Sequence, residues 1–368
     1  MSRETASDGL VERVAAVDLG VLQVPIGLLA VAVLLRPVIA HDLVLGYPQI
    51  ASSILIWMLI VASFNVLMGY TGLLSFGHAM FMGIGTYSVA IGLSSFEVPF
   101  VLAAPVGILI SGTIAYLIGR LIAHKGEIYF AMLTLAFAKS AHFLANYDPG
   151  GLTGGTTGLA DNTLPAWIET SRGFTYVTLG GGRLEWYWFV AGAFVVGMLL
   201  MWQLVRSPFG RTLVAIRENE TLARAMGVDV RRYKVWAFTF ASAFAAFGGV
   251  LLEVNNQGAT LSELSIITSG DIIIMAVLGG ANYFFGPLAG TFVWMFVEEY
   301  LADFHTLVLP LTEVPLVTVE VSGLLVYWQF FLGLLFVIAV LISPREGIFG
   351  LFKTVGERLV GRVRGERE

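Results

Sequence analysis

The sequence predicts an all-α, polytopic integral membrane protein, and three observations predict it. The 368-residue chain is 57% hydrophobic and only 13% charged, with a mean hydropathy of +0.81; soluble domains carry about 25% charged residues. Several uncharged stretches reach the roughly 20 residues that a helix needs to cross about 30 Å of hydrocarbon. These stretches read as continuous apolar runs and not as the ten-residue alternations of barrel strands.

Ten crossings follow in order, at 20–40, 50–69, 75–94, 100–120, 127–146, 185–205, 234–254, 265–281, 286–303 and 323–342. The first follows a polar segment, 1–18, with no A-x-A cleavage pattern, so it reads as a retained span. Trp186, Trp188 and Trp202 mark the two ends of the sixth as interfacial anchors. Between the fifth and sixth lies a long loop, 147–184, that contains "GGLTGGTTG". Its five glycines predict a flexible or tightly turned segment, since no strand precedes it to make a phosphate cradle.

Charge sets the orientation. The loop 206–234 holds seven basic and three acidic residues, and the tail after Ile342 holds six basic and four acidic, 346–368 being its C-terminal segment. The stretch 303–322 has Asp303, Glu313 and Glu320 with no Lys or Arg. Ten crossings place every basic loop on one side, so both termini are expected to be cytoplasmic. Within 206–234, Asn219 is a helix N-cap and Gly227 a stop, predicting about two turns between them. Leu222, Ala225 and Met226 then form a small apolar face, suited to lipid headgroups or to a partner.

Glycine is concentrated in two apolar segments, 65–90 and 271–290. In the first, Ser75, Ala79 and Gly83 recur every four residues, the spacing that lets helix backbones approach; glycine there packs helices or leaves room beside a pathway. The second carries Gly279, Gly280, Gly286 and Gly290 and is too broken for one clean span. Broken segments at matching places in two halves of opposite orientation predict an inverted repeat with a substrate pathway between the halves. Gly77, His78, Gly83, Gly279 and Gly280 are the candidate pathway residues.

Several ionisable residues fall in predicted spans. His78 lacks a partner at metal spacing and reads as structural, bonded to a backbone carbonyl. Lys139, His142 and Asn146 form a polar stripe that either lines a cavity or contact, or lets Lys139 snorkel. Glu253 reads as interfacial, and the adjacent Glu298 and Glu299 point about 100° apart, against a paired-carboxylate catalytic role. The chain has no cysteine, and none of its four lysines completes a phosphate-binding loop motif. No enzyme activity, metal or cofactor of its own is expected.

"GYTGLLSFGHAMFMGIGTYS" (69–88) resembles the signature of the LivM-type branched-chain amino-acid permeases, membrane subunits of ATP-binding-cassette importers. "EIYFAMLTLAFA", "LTGGTTGL", "SPFGRTLVAIRENETLARAMGVDVRRYK" and "MAVLGGANYFFGPLAGT" are similar to that family in the same order. The resemblance covers about 50–345 and implies a type II importer fold, a permease domain over 19–345, and a place in a prokaryotic inner membrane. It implies a homologous second permease, two cytoplasmic ATPases that hold ATP and magnesium, and an external binding protein that delivers hydrophobic amino acids. Residues 220–227 then correspond to the coupling helix, with Glu218, Leu222, Ala223, Ala225, Met226 and Gly227 as contacts. The importer pattern E-A-A-x-x-x-G is met at Ala223 and Gly227 but not at Thr221 and Leu222. Alternatives are the same machine carrying urea or another small polar solute, or an ion-coupled secondary transporter.

Overall fold

A computed structural model describes residues 19–40, 48–160, 168–171, 174–179, 182–303, 308–310, 318–320, 328–342 and 347–350. The polar N-terminal segment, most of the C-terminal tail, Glu313 and parts of the 147–184 loop lie outside these residues.

A helix occupies each interval where a crossing was predicted. They are α1 (Leu19–Ile39), α2 (Pro48–Thr71), α3 (His78–Ser94), α4 (Phe100–Ile122), α5 (Glu127–Tyr147) and α6 (Trp186–Arg206), then two short helices, α7 (Pro208–Glu218) and α8 (Glu220–Ala225). The chain continues through α9 (Val230–Asn256), α10 (Ile266–Gly279), α11 (Gly286–Asp303) and α12 (Trp328–Ile342). Five of the described helices are long and apolar enough to cross a membrane: α2, α4, α5, α6 and α9. The 14-residue α10 is only about 21 Å long at 1.5 Å per residue, short of a full crossing. The interval predicted as a helix over 75–94 begins only at His78: residues 72–75 form no regular element, Gly72 having φ +76, and 76–77 turn.

The core is built around α9, which packs on α2, α3 and α4. Its small residues make this possible. A Cβ on Gly249 would collide with the Met82 carbonyl of α3, and one on Gly85 would collide with the Ala246 carbonyl of α9. Each helix therefore presents a glycine to the other's backbone, and Thr86 adds a hydrogen bond of 3.1 Å to the Gly249 carbonyl. Gly83 lies off this contact and meets Leu264 instead.

The glycine cluster of the 147–184 loop is tightly turned, one of the two forms its composition predicts. Gly150, Gly151, Gly154, Gly155 and Gly158 all have positive φ, which winds the segment tightly at no steric cost. Asp148 accepts hydrogen bonds from the Thr153 amide at 2.7 Å and the Thr153 hydroxyl at 2.9 Å, which hold its carboxyl below the usual carboxylate range. β1 (Leu159–Ala160) then pairs antiparallel with β5 (Gly258–Ala259), fastening this loop to the segment after α9. Beyond it, β2 (Ile168–Ser171), β3 (Phe174–Leu179) and β4 (Gly182–Glu185) form a three-stranded antiparallel sheet. Two further strands, β6 (Val308–Pro310) and β7 (Thr318–Glu320), pair in the acidic stretch after α11.

Candidate functional site

Three places carry the polar chemistry of the bundle, and the first is where α3 and α10 begin. The Ala79 amide near the start of α3 donates to the Ser269 hydroxyl in the first turn of α10 at 3.1 Å. From this junction α3 runs toward Ala103 at the start of α4, while α10 runs the other way. The turn after α10 packs on the last turn of α2, where Asn65 donates to the Tyr283 carbonyl at 3.2 Å. Two short helices thus meet by their N-terminal ends, which carry the partial positive charge of the helix dipole, inside the bundle.

His78 sits at this junction, fully buried, with Nε2 2.9 Å from the Ser63 hydroxyl and its ring edge-on to Phe64. It has a structural setting, but its partner is a side-chain hydroxyl and not the backbone carbonyl expected. The glycines stand at close contacts or in a turn. A Cβ on Gly77 would strike the Thr134 carbonyl of α5, and one on Gly279 would strike Gly286 and crowd Gly290 on α11. Gly280 has φ +103, a turn conformation that only glycine adopts readily. None of these five candidates is among the described residues that line the polar cavity below.

The second place is the basic end. The Asn219 side chain accepts from the Leu222 amide at 2.9 Å, and Gly227 adopts φ +86, so the cap and stop fall where the sequence puts them. Ala223 is buried with Ile216 and Val230 in a small cluster, while Leu222 and Met226 are 60% and 78% exposed. Ala225 and Gly227 are exposed beside them, and Glu218 is exposed with its carboxylate 2.7 Å from Arg217. Two anchors escaped sequence reading. Lys234, 3% exposed, pairs with Glu220 at 2.7 Å, and Glu220 also pairs with Arg224 at 2.8 Å, so α8 is tied to α9. Arg217 donates to the Gly69 carbonyl at the end of α2 and, at 3.5 Å, to Asn282 in the turn after α10. The short helices are therefore bonded to both broken segments.

The third place is a cavity of about 350 Å³ at the opposite end of α9. It lies between α2, α9, α10 and α11, and Glu263, Asp271, Glu298 and Glu299 line it. Glu298 and Glu299, although adjacent, both face it. Asp271 and Glu299 are close enough to act electrostatically on Glu298. Glu253, near the end of α9 where the sequence puts it, is fully buried nearby. No group of His, Asp and Glu side chains suited to a metal ion occurs among the described residues. Lys139 and Asn146 are exposed and His142 partly so, on an outer face of α5 shared with Phe143 and Tyr147.

Comparison with known proteins places this architecture. The match to the family described as "Branched-chain amino acid transport system / permease component" spans residues 46–340. The chain is 26% identical over 275 residues to the high-affinity branched-chain amino acid transport system permease protein LivM of Escherichia coli, covering 71% of this chain and 64% of that protein. It is 23% identical over 296 residues to a probable LivM of Methanocaldococcus jannaschii, 69% of this chain and 81% of that one. It is also 26% identical over 222 residues to the ribose import permease protein RbsC of Haemophilus influenzae, 59% of this chain and 65% of that protein. The chain thus spans under two thirds of the length of the E. coli relative, and no solved structure matches it significantly. With five helices able to cross a membrane, tight glycine-mediated packing and a family match over four-fifths of its length, the chain is an integral membrane protein that belongs to the branched-chain amino acid transport system permease family.

Proposed function

We propose that the chain is the translocation subunit of an ATP-driven importer and that its cargo is a hydrophobic amino acid. An external binding protein delivers the cargo, a homologous second permease completes the path, and two cytoplasmic ATPases bind ATP and magnesium. The basic end then faces the cytoplasm, α8 is the coupling helix, and α3 and α10 are the matching broken elements of an inverted repeat. One observation carries this reading: a capped two-turn helix shows Leu222 and Met226 outward while the neighbouring Arg217 is bonded to both broken segments. A push on α8 would pass through Asn219 to α7, whose Arg217 holds the Gly69 and Asn282 ends of α2 and α10.

The test is uptake by the assembled transporter in vesicles. Met226→Asp combined with Leu222→Asp is expected to abolish ATP-driven uptake and cargo-stimulated ATP hydrolysis, with the chain still expressed and inserted. Normal uptake by that variant sinks the coupling role. Accumulation that persists without ATPase subunits, and collapses with an uncoupler, favours the ion-coupled rival. The polar cavity supports a second reading, in which the same machine carries urea or another small solute rich in N–H donors.

A further inference from the structure

The acidic cavity plays no part in the linkage through α8, and its chemistry is incomplete. Glu263, in the short turn that connects α9 to α10, is 5% exposed and lines the cavity. Neither of its carboxylate oxygens has a partner in hydrogen-bonding geometry among the described residues, although the Thr260 amide, the Thr86 hydroxyl and the Asn256 side chain stand near them. The Thr86 hydroxyl beside it is directed at the carbonyls of Met82 and Gly249 instead, at 3.2 and 3.1 Å. A buried acceptor left without a donor costs free energy, and such groups are rare unless something else supplies the donor.

What could supply it is constrained by the walls. Asp271, Glu298 and Glu299 add three more carboxylates, and no Lys or Arg occurs among the described lining residues. Every charged side chain among the described lining residues is a carboxylate, so a carboxylate ligand would be repelled and an N–H-bearing cation attracted, while the neutral hydroxyl and amide groups favour neither. The remaining wall is mixed: Ser53, Asn256, Thr260, Ser262 and Thr268 are neutral and polar, and Trp57, Trp294, Met275 and Met295 are apolar. Indole faces attract cations as well as hydrocarbon. The volume of about 350 Å³ suits a molecule of amino-acid size.

We infer that this cavity binds the ammonium group of a small organic amine, with the ligand's apolar body against the Trp57 and Trp294 side chains. As a waiting place for cargo the inference rests on the permease reading above; as a binding site it stands apart from it. A transported amino acid would then be held by its amino group, and its carboxylate would stay toward the mouth of the cavity.

The experiment uses the full chain in lipid nanodiscs and ligand-observed saturation-transfer NMR, with 3-methylbutylamine and 3-methylbutanoate as probes of equal shape and opposite charge. The amine is expected to bind and the acid not to. Glu298→Gln and Asp271→Asn should each weaken the amine about tenfold, the loss of one charge-assisted hydrogen bond. Equal binding of the acid overturns the inference, as does unchanged amine binding in Glu298→Gln, or displacement of the amine by equimolar potassium. If Asp271→Asn does not elute from size exclusion as the parent does, Glu298→Gln alone decides. ATP-driven uptake by the assembled transporter is measured in parallel. Uptake without amine binding overturns the cavity and leaves the permease reading, and amine binding without uptake does the reverse.

Discussion

The two ends of α9 bury charge in opposite ways. At the basic end Lys234 is almost wholly enclosed, and Glu220 meets it at 2.7 Å. At the other end Glu263 is enclosed without a partner in hydrogen-bonding geometry among the described residues, beside three more cavity-lining carboxylates. A buried charge with its counter-charge is a structural fastening, because removing either member strands the other. Clustered charges of one sign have no such internal reason and mark a place where a ligand completes the set. The contrast separates a part of the molecule that must not move from a part that must receive something.

Three measurements break or sharpen that contrast. The largest effect is expected from Glu220→Ala, which leaves Lys234 buried and unpaired. Breaking a fully buried pair costs about 3–5 kcal/mol, and the 38% exposure of the Glu220 side chain puts this one at about 3 kcal/mol or less. Denaturation in detergent by urea should read the loss, and Glu220→Gln with Lys234→Met should recover most of it. If the single variant is neutral, the fastening is not one.

At the other end the sign should reverse. Asp271→Asn combined with Glu298→Gln relieves repulsion between carboxylates, and stability should rise by about 1 kcal/mol at an effective dielectric near 20. A fall in the midpoint would mean these carboxylates have internal partners and would erase the distinction between the ends.

The smallest effect belongs to the wound loop that is fastened beside β5. Hydrogen bonds from Thr153 hold the Asp148 carboxyl below its ordinary value of 3.8. Its contribution to stability is therefore complete above that ordinary value and is lost as pH falls through the lowered one. Asp148→Asn keeps the left-handed backbone that the native residue adopts at φ 53, and should flatten this acid-side slope and lower the melting temperature slightly at pH 7, where the charged residue's contribution is fully present. A slope identical in parent and variant would remove Asp148 from the account.

Much of the fold is legible in the sequence, and for a simple reason. Apolar length, turn chemistry and charge asymmetry are local properties, so the apolar helices among the described residues, the Asn219 cap and the Gly227 stop can be found without tertiary knowledge. The site is less legible. Gly77, Gly83 and Gly279 are identifiable as special, but whether a glycine packs against backbone or clears a path depends on what stands opposite it, here Thr134, Leu264 and Gly286. The Lys234–Glu220 pair lies 14 residues apart across two helices, and Arg217 reaches partners 148 and 65 positions away. No spacing rule spans such distances. The available signal is the placing of Glu263, Asp271, Glu298 and Glu299 within or beside apolar intervals, and it does not say that they meet.

The sequence alone determined that this chain is a helical membrane protein with a short capped helix at its basic end, because hydrophobic length and capping act over a few turns. Only the tertiary structure decided that α3 and α10 meet end to end, that two adjacent glutamates share one cavity with Asp271 and Glu263, and that Glu253 is buried. Those outcomes depend on which helix faces pack together, and packing is settled by close contacts between residues remote in the chain.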